Sequence, residues 1–138
     1  MIKNIEFKVK KEPWNKYKLK DGTILKTRLI MVKVSAAKNG YLFSHQPIFG
    51  SIAPTRKKPE KTLSGEEHTI EEHDVDFEHI GKEKWNEYIL SDNNKLLAKI
   101  QITQVNRSNV YDEHGDPIYS IQWSPLFKVV PVQKEKNK

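Results

Sequence analysis

Two stretches of this chain are near-copies of each other. Residues 11–34 read KEPWNKYKLKDGTILKTRLIMVKV, residues 82–105 read KEKWNEYILSDNNKLLAKIQITQV, and the two align without a gap at an offset of 71. Lys11/Lys82, Glu12/Glu83, Trp14/Trp85, Asn15/Asn86, Tyr17/Tyr88, Leu19/Leu90, Asp21/Asp92, Leu25/Leu96 and Val34/Val105 are identical, and Arg28/Lys99, Leu29/Ile100 and Met31/Ile102 are conservative. With only three Trp in the chain, W-N-x-Y-x-L-x-D occurring twice is a poor accident. Self-similarity of this kind marks a duplicated unit, so whatever folds must fold twice.

The similarity extends both ways with one-residue slips. Upstream, Ile5-Glu6-Phe7-Lys8 matches Val75-Asp76-Phe77-Glu78; downstream, Tyr41 is set against Tyr111 and Gln46-Pro47-Ile48-Phe49 against Asp116-Pro117-Ile118-Tyr119. The expected organisation is a first repeat over 1–54, a polar linker over 55–73 rich in Lys, Glu, Pro, Ser and Gly, a second repeat over 74–133 and a disordered polar tail over 134–138.

Hydrophobic residues recur with a period of two. Leu25, Thr27, Leu29 and Met31 alternate with Lys26, Arg28 and Ile30; Leu96, Ala98, Ile100 and Ile102 repeat the pattern, and Phe7/Val9, Tyr17/Leu19, Tyr88/Leu90 and Tyr119/Ile121/Trp123 continue it. This is the mark of half-buried strands. Asp21-Gly22 is a hairpin signal, and Asp92-Asn93-Asn94 stands at the same place in the second repeat. No stretch of about 10 residues shows a helical period. The reading is all-β: a small antiparallel barrel of about five strands, used twice and packed with pseudo-twofold symmetry, because one such unit buries too little to stand alone. Ile30 and Val32 fall on the outward parity where the second repeat has Gln101 and Thr103. They are candidates for an interface between the repeats or between chains of a homodimer.

Charge is distributed unevenly. The chain carries 24 Lys+Arg against 18 Asp+Glu, a net of +6. Residues 1–54 hold 11 Lys+Arg against 3 Asp+Glu, a net of +8; residues 55–74 hold 4 against 6, and residues 75–138 hold 9 against 9. Lys8, Lys10, Lys16, Lys18, Lys20, Lys26 and Arg28 alternate with apolar residues, which would place them together on the outer faces of three strands. Their counterparts in the second repeat are mostly acidic or uncharged: Glu78, Glu87, Ile89, Ser91 and Leu97 replace Lys8, Lys16, Lys18, Lys20 and Lys26. A lysine-studded face suits a phosphate backbone or an acidic protein, and it equally solubilises an exposed sheet. No stacking aromatic stands out among the cations; Trp14 and Trp85 read as anchors of each barrel's lip. The acidic run Glu66, Glu67, Glu71, Glu72, Asp74, Asp76 and Glu78 has the sign to lie on the basic face.

Other chemistry is thinly represented. With no Cys, the chain has no disulfide, thiolate metal site or cysteine nucleophile. His68, His73 and His79 lie among carboxylates, but in a strand His73 and His79 would stand ~20 Å apart, so no metal site is expected. His45 and His114 read as turn residues. No catalytic signature or cofactor motif is present. There is no apolar run of membrane-span length, and MIKNIEFKVKKEPW lacks a signal peptide's apolar segment, so a cytoplasmic protein without a membrane partner is expected. The expected function is non-enzymatic binding of nucleic acid or another polyanion by the basic face of the first repeat. The alternatives are a protein-interaction module built on Ile30 and Val32, and an enzyme with a cleft between the repeats.

Overall fold

The computed structural model describes residues 2–55 and 70–132. Among these the structure is all-β, with no helix: β1 (Lys3–Ile5), β2 (Phe7–Lys11), β3 (Asn15–Leu19), β4 (Ile24–Ala37), β5 (Gly40–Ile52), β6 (Ile70–Glu72), β7 (Phe77–His79), β8 (Asn86–Leu90), β9 (Asn94–Tyr111) and β10 (Pro117–Pro131). The expected tail 134–138 and linker residues 56–69 lie outside the described residues.

Each long hairpin seeds one sheet. β4 pairs with β5 along one side; on its other side it pairs with β3 at residues 24–27 and with β1 at residues 34–36. β9 pairs with β10 and, on its other side, with β8 and β6. Every pairing is antiparallel.

The outermost strands are exchanged. β2 leaves the N-terminal segment to pair with β8, setting Phe7, Lys8 and Val9 opposite Leu90, Ile89 and Tyr88. β7 does the reverse against β3, setting Phe77, Glu78 and His79 opposite Leu19, Lys18 and Tyr17. Ile5 lies opposite Val34, and the Val75 N–H donates to the Val105 carbonyl at 2.7 Å. The two arms thus run from one sheet into the other in equivalent registers. Neither sheet is closed among the described residues, so these two antiparallel sheets do not show the barrel expected for each unit.

The ladders also correct the downstream alignment. Phe49 lies opposite Thr27 and Phe127 opposite Ala98, which is 71 residues after Thr27. His45 lies opposite Met31 and Trp123 opposite Ile102; Pro47 and Pro125 lie opposite Leu29 and Ile100. By position on the ladders, Tyr41-x-Phe43…Pro47-Ile48-Phe49 corresponds to Tyr119-x-Ile121…Pro125-Leu126-Phe127, at an offset of 78. A longer hairpin, reaching Tyr111 before its turn at residues 112–116, absorbs the difference and was invisible to a near-constant offset. Both hairpins carry a bulge at matching positions, Val32 and Thr103. A bulge bends its strand, which lets one long strand serve two cores.

Those cores follow from the exchange. One gathers Tyr17, Leu19, Leu25, Val75 and Val105. The other gathers their counterparts Tyr88, Leu90, Leu96, Ile5 and Val34, and adds Leu29, Met31, Ala98 and Ile100. Between residues 27 and 34, no described strand pairs with β4 on the side away from β5, and two side chains cover the gap. Asn86 Nδ2 donates to the Leu29 carbonyl at 2.6 Å, and the Met31 N–H donates to Glu12 Oε2 at 3.1 Å. Because those groups point away from β5, the ring nitrogen of Pro47 faces the sheet edge, where a missing N–H costs nothing.

The two short hairpins end alike. Gly22 (φ 88°) and Asn93 (φ 71°), 71 residues apart, both hold the left-handed conformation that closes the turn. A Cβ on Gly22 would meet Pro54 Cγ at 3.3 Å. Gly22→Ala is therefore expected to cost about 1–2 kcal/mol, seen as a lower urea midpoint; an unchanged midpoint would contradict the tight turn.

Candidate functional site

The sheet containing β4 carries the basic face, though not all of it. Lys16 on β3 lies directly opposite Lys26 on β4, and both point outward beside Trp14. Lys26 Nζ stands 4.7 Å from the Trp14 ring centre and Arg28 Cζ 5.7 Å from it. The Lys26 stem runs over Gly50 on β5, where a Cβ would meet its Cε at 3.3 Å. Lys18 continues the row but faces Glu78 on β7, and the Lys20 N–H donates to the Asp76 carbonyl. Lys8 and Lys10 are on the other sheet, where Lys8 lies opposite Ile89. The expected seven-cation face is thus split, because β2 pairs with β8 rather than β3. Trp14, Lys16, Lys18, Lys26 and Arg28 remain together. Trp14 was missed as a member, yet it shares the parity of Lys16 and Lys18, the signal that would have found it.

Ile30 and Val32 lie on the same outer face. Ile30 is half-buried opposite Gln46, whereas Val32 is 51% exposed at the bulge, with Leu42 (52%) and Ile48 (42%) on the neighbouring strand.

The counterpart on the other sheet has the same scaffold and a different charge. Lys99 Nζ lies 4.5 Å from the Trp85 ring centre and is held by Glu83 at 2.7 Å. Where Lys16 and Lys26 face each other, this sheet has Glu87 and Leu97, and Glu87 is tied to Lys95 at 3.1 Å. Both platforms rest on crossed tyrosine–glutamate contacts. Tyr88 OH donates to Glu12 Oε2 at 2.8 Å with Arg28 3.7 Å from Oε1, and Tyr17 OH donates to Glu83 at 3.4 Å. Burial, and secondarily Glu83, pushes the Tyr17 phenol up to about 12. Burial and the Glu12 hydrogen bond raise Tyr88 further still.

Asn15 and Asn86 differ for a definable reason. Asn15 clasps the Lys84 backbone, donating to its carbonyl and accepting from its N–H, both at 2.9 Å. The residue 71 before Lys84 is Pro13, which has no N–H, so Asn86 turns instead to the Leu29 carbonyl and the Tyr88 hydroxyl. Near this crossing a shallow cleft of about 590 Å³ is lined by Lys11, Glu12, Pro13, Lys84, Trp85, Glu87 and Leu97. It brings residues of both segments together.

A second polar cluster links the segments at the other end. Asp21 accepts from Arg107 and from Tyr119 OH (2.7 Å), and Tyr119 OH also meets Thr23 Oγ1 at 3.1 Å. Burial pushes the Asp21 carboxyl up, but the Thr23 and Tyr119 hydrogen bonds and the Arg107 charge outweigh it and hold the group below its usual range. Tyr41, Asp92 and Asn94 form the matching cluster, without an arginine.

Among the described residues no group of three or more His, Asp or Glu is arranged to hold a metal ion. His79 is engaged by the Gly81 carbonyl and Asn15 Oδ1, each at 2.9 Å; His68 lies outside the described residues, as do Glu66 and Glu67. His45 is in the middle of β5, packed against Trp123 and Phe127, not in a turn; His114 lies in the turn at residues 112–116. No described helix is long and apolar enough to cross a membrane. Comparison with protein-family models, curated proteins and solved structures finds no match to this chain.

Proposed function

We propose that this chain is a duplicated β unit with exchanged outer strands, and that it binds nucleic acid or a similar polyanion on the outer face of the β4 sheet. The observation that carries the functional reading is the direct opposition of Lys16 and Lys26 beside Trp14. Like charges facing each other across an antiparallel pair cost stability, and the other sheet avoids that cost with Glu87 and Leu97 in the same two places. A phosphate seated between the two ammonium groups removes the repulsion and releases counterions.

The test is fluorescence anisotropy of a labelled oligonucleotide at about 50 and 200 mM salt. Neutralising roughly three to four phosphates predicts a 10- to 100-fold loss of affinity over that range. Lys16→Glu with Lys26→Glu is expected to weaken low-salt binding at least about tenfold. Unchanged binding by that variant removes the reading.

Val32, Leu42 and Ile48 favour a second reading, a protein-contact surface on the same face. Light scattering over a concentration series tests its homodimer form: Val32→Asp is expected to abolish concentration-dependent association, and a wild-type monomer throughout sinks it.

A further inference from the structure

We infer that the ligand of this face is single-stranded nucleic acid, one of whose bases stacks on Trp14 while its phosphates lie on Lys16, Lys26 and Arg28. The inference rests on the polyanion-binding reading and narrows it. Proteins that bind single strands combine a cationic track with an exposed aromatic ring, since every base has a π-face and only an unpaired base can offer it. Trp14 is half-buried, stands immediately before β3, and has the Lys26 ammonium and the Arg28 guanidinium over its ring. An arginine plane beside the indole gives a base a second surface to lie on.

The donors around the ring are only partly spent. Arg28 approaches Glu12 at 3.7 Å, longer than a hydrogen bond, and its side chain is 35% exposed although its Nε is buried, so the outer end of the guanidinium is what a phosphate meets. Lys26 stays against the indole because Gly50 leaves its stem room. A neutral polymer would gain nothing from the facing Lys16 and Lys26, and a duplex would present no free base to Trp14. The other platform is an internal control: Trp85 has the same ring and a lysine at a similar distance, but Glu87 stands where the first platform has Lys16, and Glu83 is 39% exposed where its counterpart Glu12 is 9% exposed, so both repel phosphate. Stacking on Trp14 and not on Trp85 is therefore what the charge pattern requires.

The experiment compares three probes of equal phosphate count at low salt: oligo-dT, the same strand made abasic, and a duplex. Oligo-dT is expected to bind about 5- to 150-fold more tightly than the abasic strand, as one stacked base provides. It is also expected to quench tryptophan fluorescence, with the quench lost in Trp14→Phe and kept in Trp85→Phe. Trp14→Leu is expected to bring the oligo-dT to abasic ratio to about one, and Trp14→Phe, which can still stack, to keep most of it. Equal affinity for oligo-dT and the abasic strand, or a quench that survives Trp14→Phe, overturns stacking while leaving polyanion binding standing. Absence of binding to all three probes overturns both.

Discussion

Replacing Glu12 by alanine should lower the folding free energy by about 3 kcal/mol. The Glu12 side chain is only 9% exposed and serves three groups at once. It accepts from the fully buried Tyr88 hydroxyl, accepts from the Met31 N–H where no described strand pairs with β4 on the side away from β5, and stands near Arg28. Removing it strands two buried donors, each costing roughly 1–3 kcal/mol when left unpaired. Glu12→Gln should cost less, since its amide oxygen still accepts while the charge near Arg28 is lost. Urea denaturation measures both, and a double-mutant cycle with Tyr88→Phe should show coupling of about 1 kcal/mol or more. A Glu12→Ala cost below about 0.5 kcal/mol would mean that the network does not hold β2 and β8 to the β4 sheet.

Alkali should unfold this protein steeply. Tyr17 and Tyr88 are buried, and Tyr119 is half-buried against Asp21. Burial raises all three phenols above the ordinary value of 10.0, Tyr17 to about 12. A raised phenol keeps its proton in the folded state after the unfolded chain has lost it, so the stabilisation is fully present below pH 10 and drains away as pH rises from 10 through 12. With three such groups the loss approaches about 4 kcal/mol per pH unit. Tyrosinate absorbance should therefore show a late component that rises together with loss of near-UV circular dichroism. Smooth ionisation of all five tyrosines near pH 10 with the fold intact would contradict the burial of these hydroxyls.

The sequence disclosed the strands but not their partners. Alternation at Leu25-Thr27-Leu29-Met31 states which face of β4 is buried, and Asp21-Gly22 states where the hairpin turns, because both signals are local. The exchange of β2 and β7 is not local: Phe7-Lys8-Val9 carries the same alternation whether it pairs with β3 or β8. That is why the cations expected on one face divide between two sheets. The downstream alignment went astray for a related reason, since the second hairpin lengthens before its turn. Pro125-Leu126-Phe127 and Pro117-Ile118-Tyr119 match Pro47-Ile48-Phe49 equally well, with two identities and one conservative pair each, so only the ladder register separates them. At the candidate site the alternating lysines were legible. The place of Trp14 among them was harder to read, because Trp14 precedes β3 and joins Lys16 and Lys18 by parity and not by lying in the strand.

Mapping amide chemical shifts while oligo-dT is added tests the central claim most directly. The account predicts that the perturbed amides cluster at Trp14, Lys16, Lys26, Arg28 and Gly50, together with the Trp14 indole N–H, while Trp85, Glu87 and Lys99 stay unmoved. Shifts centred on the Trp85 platform, or none at low salt, would contradict it.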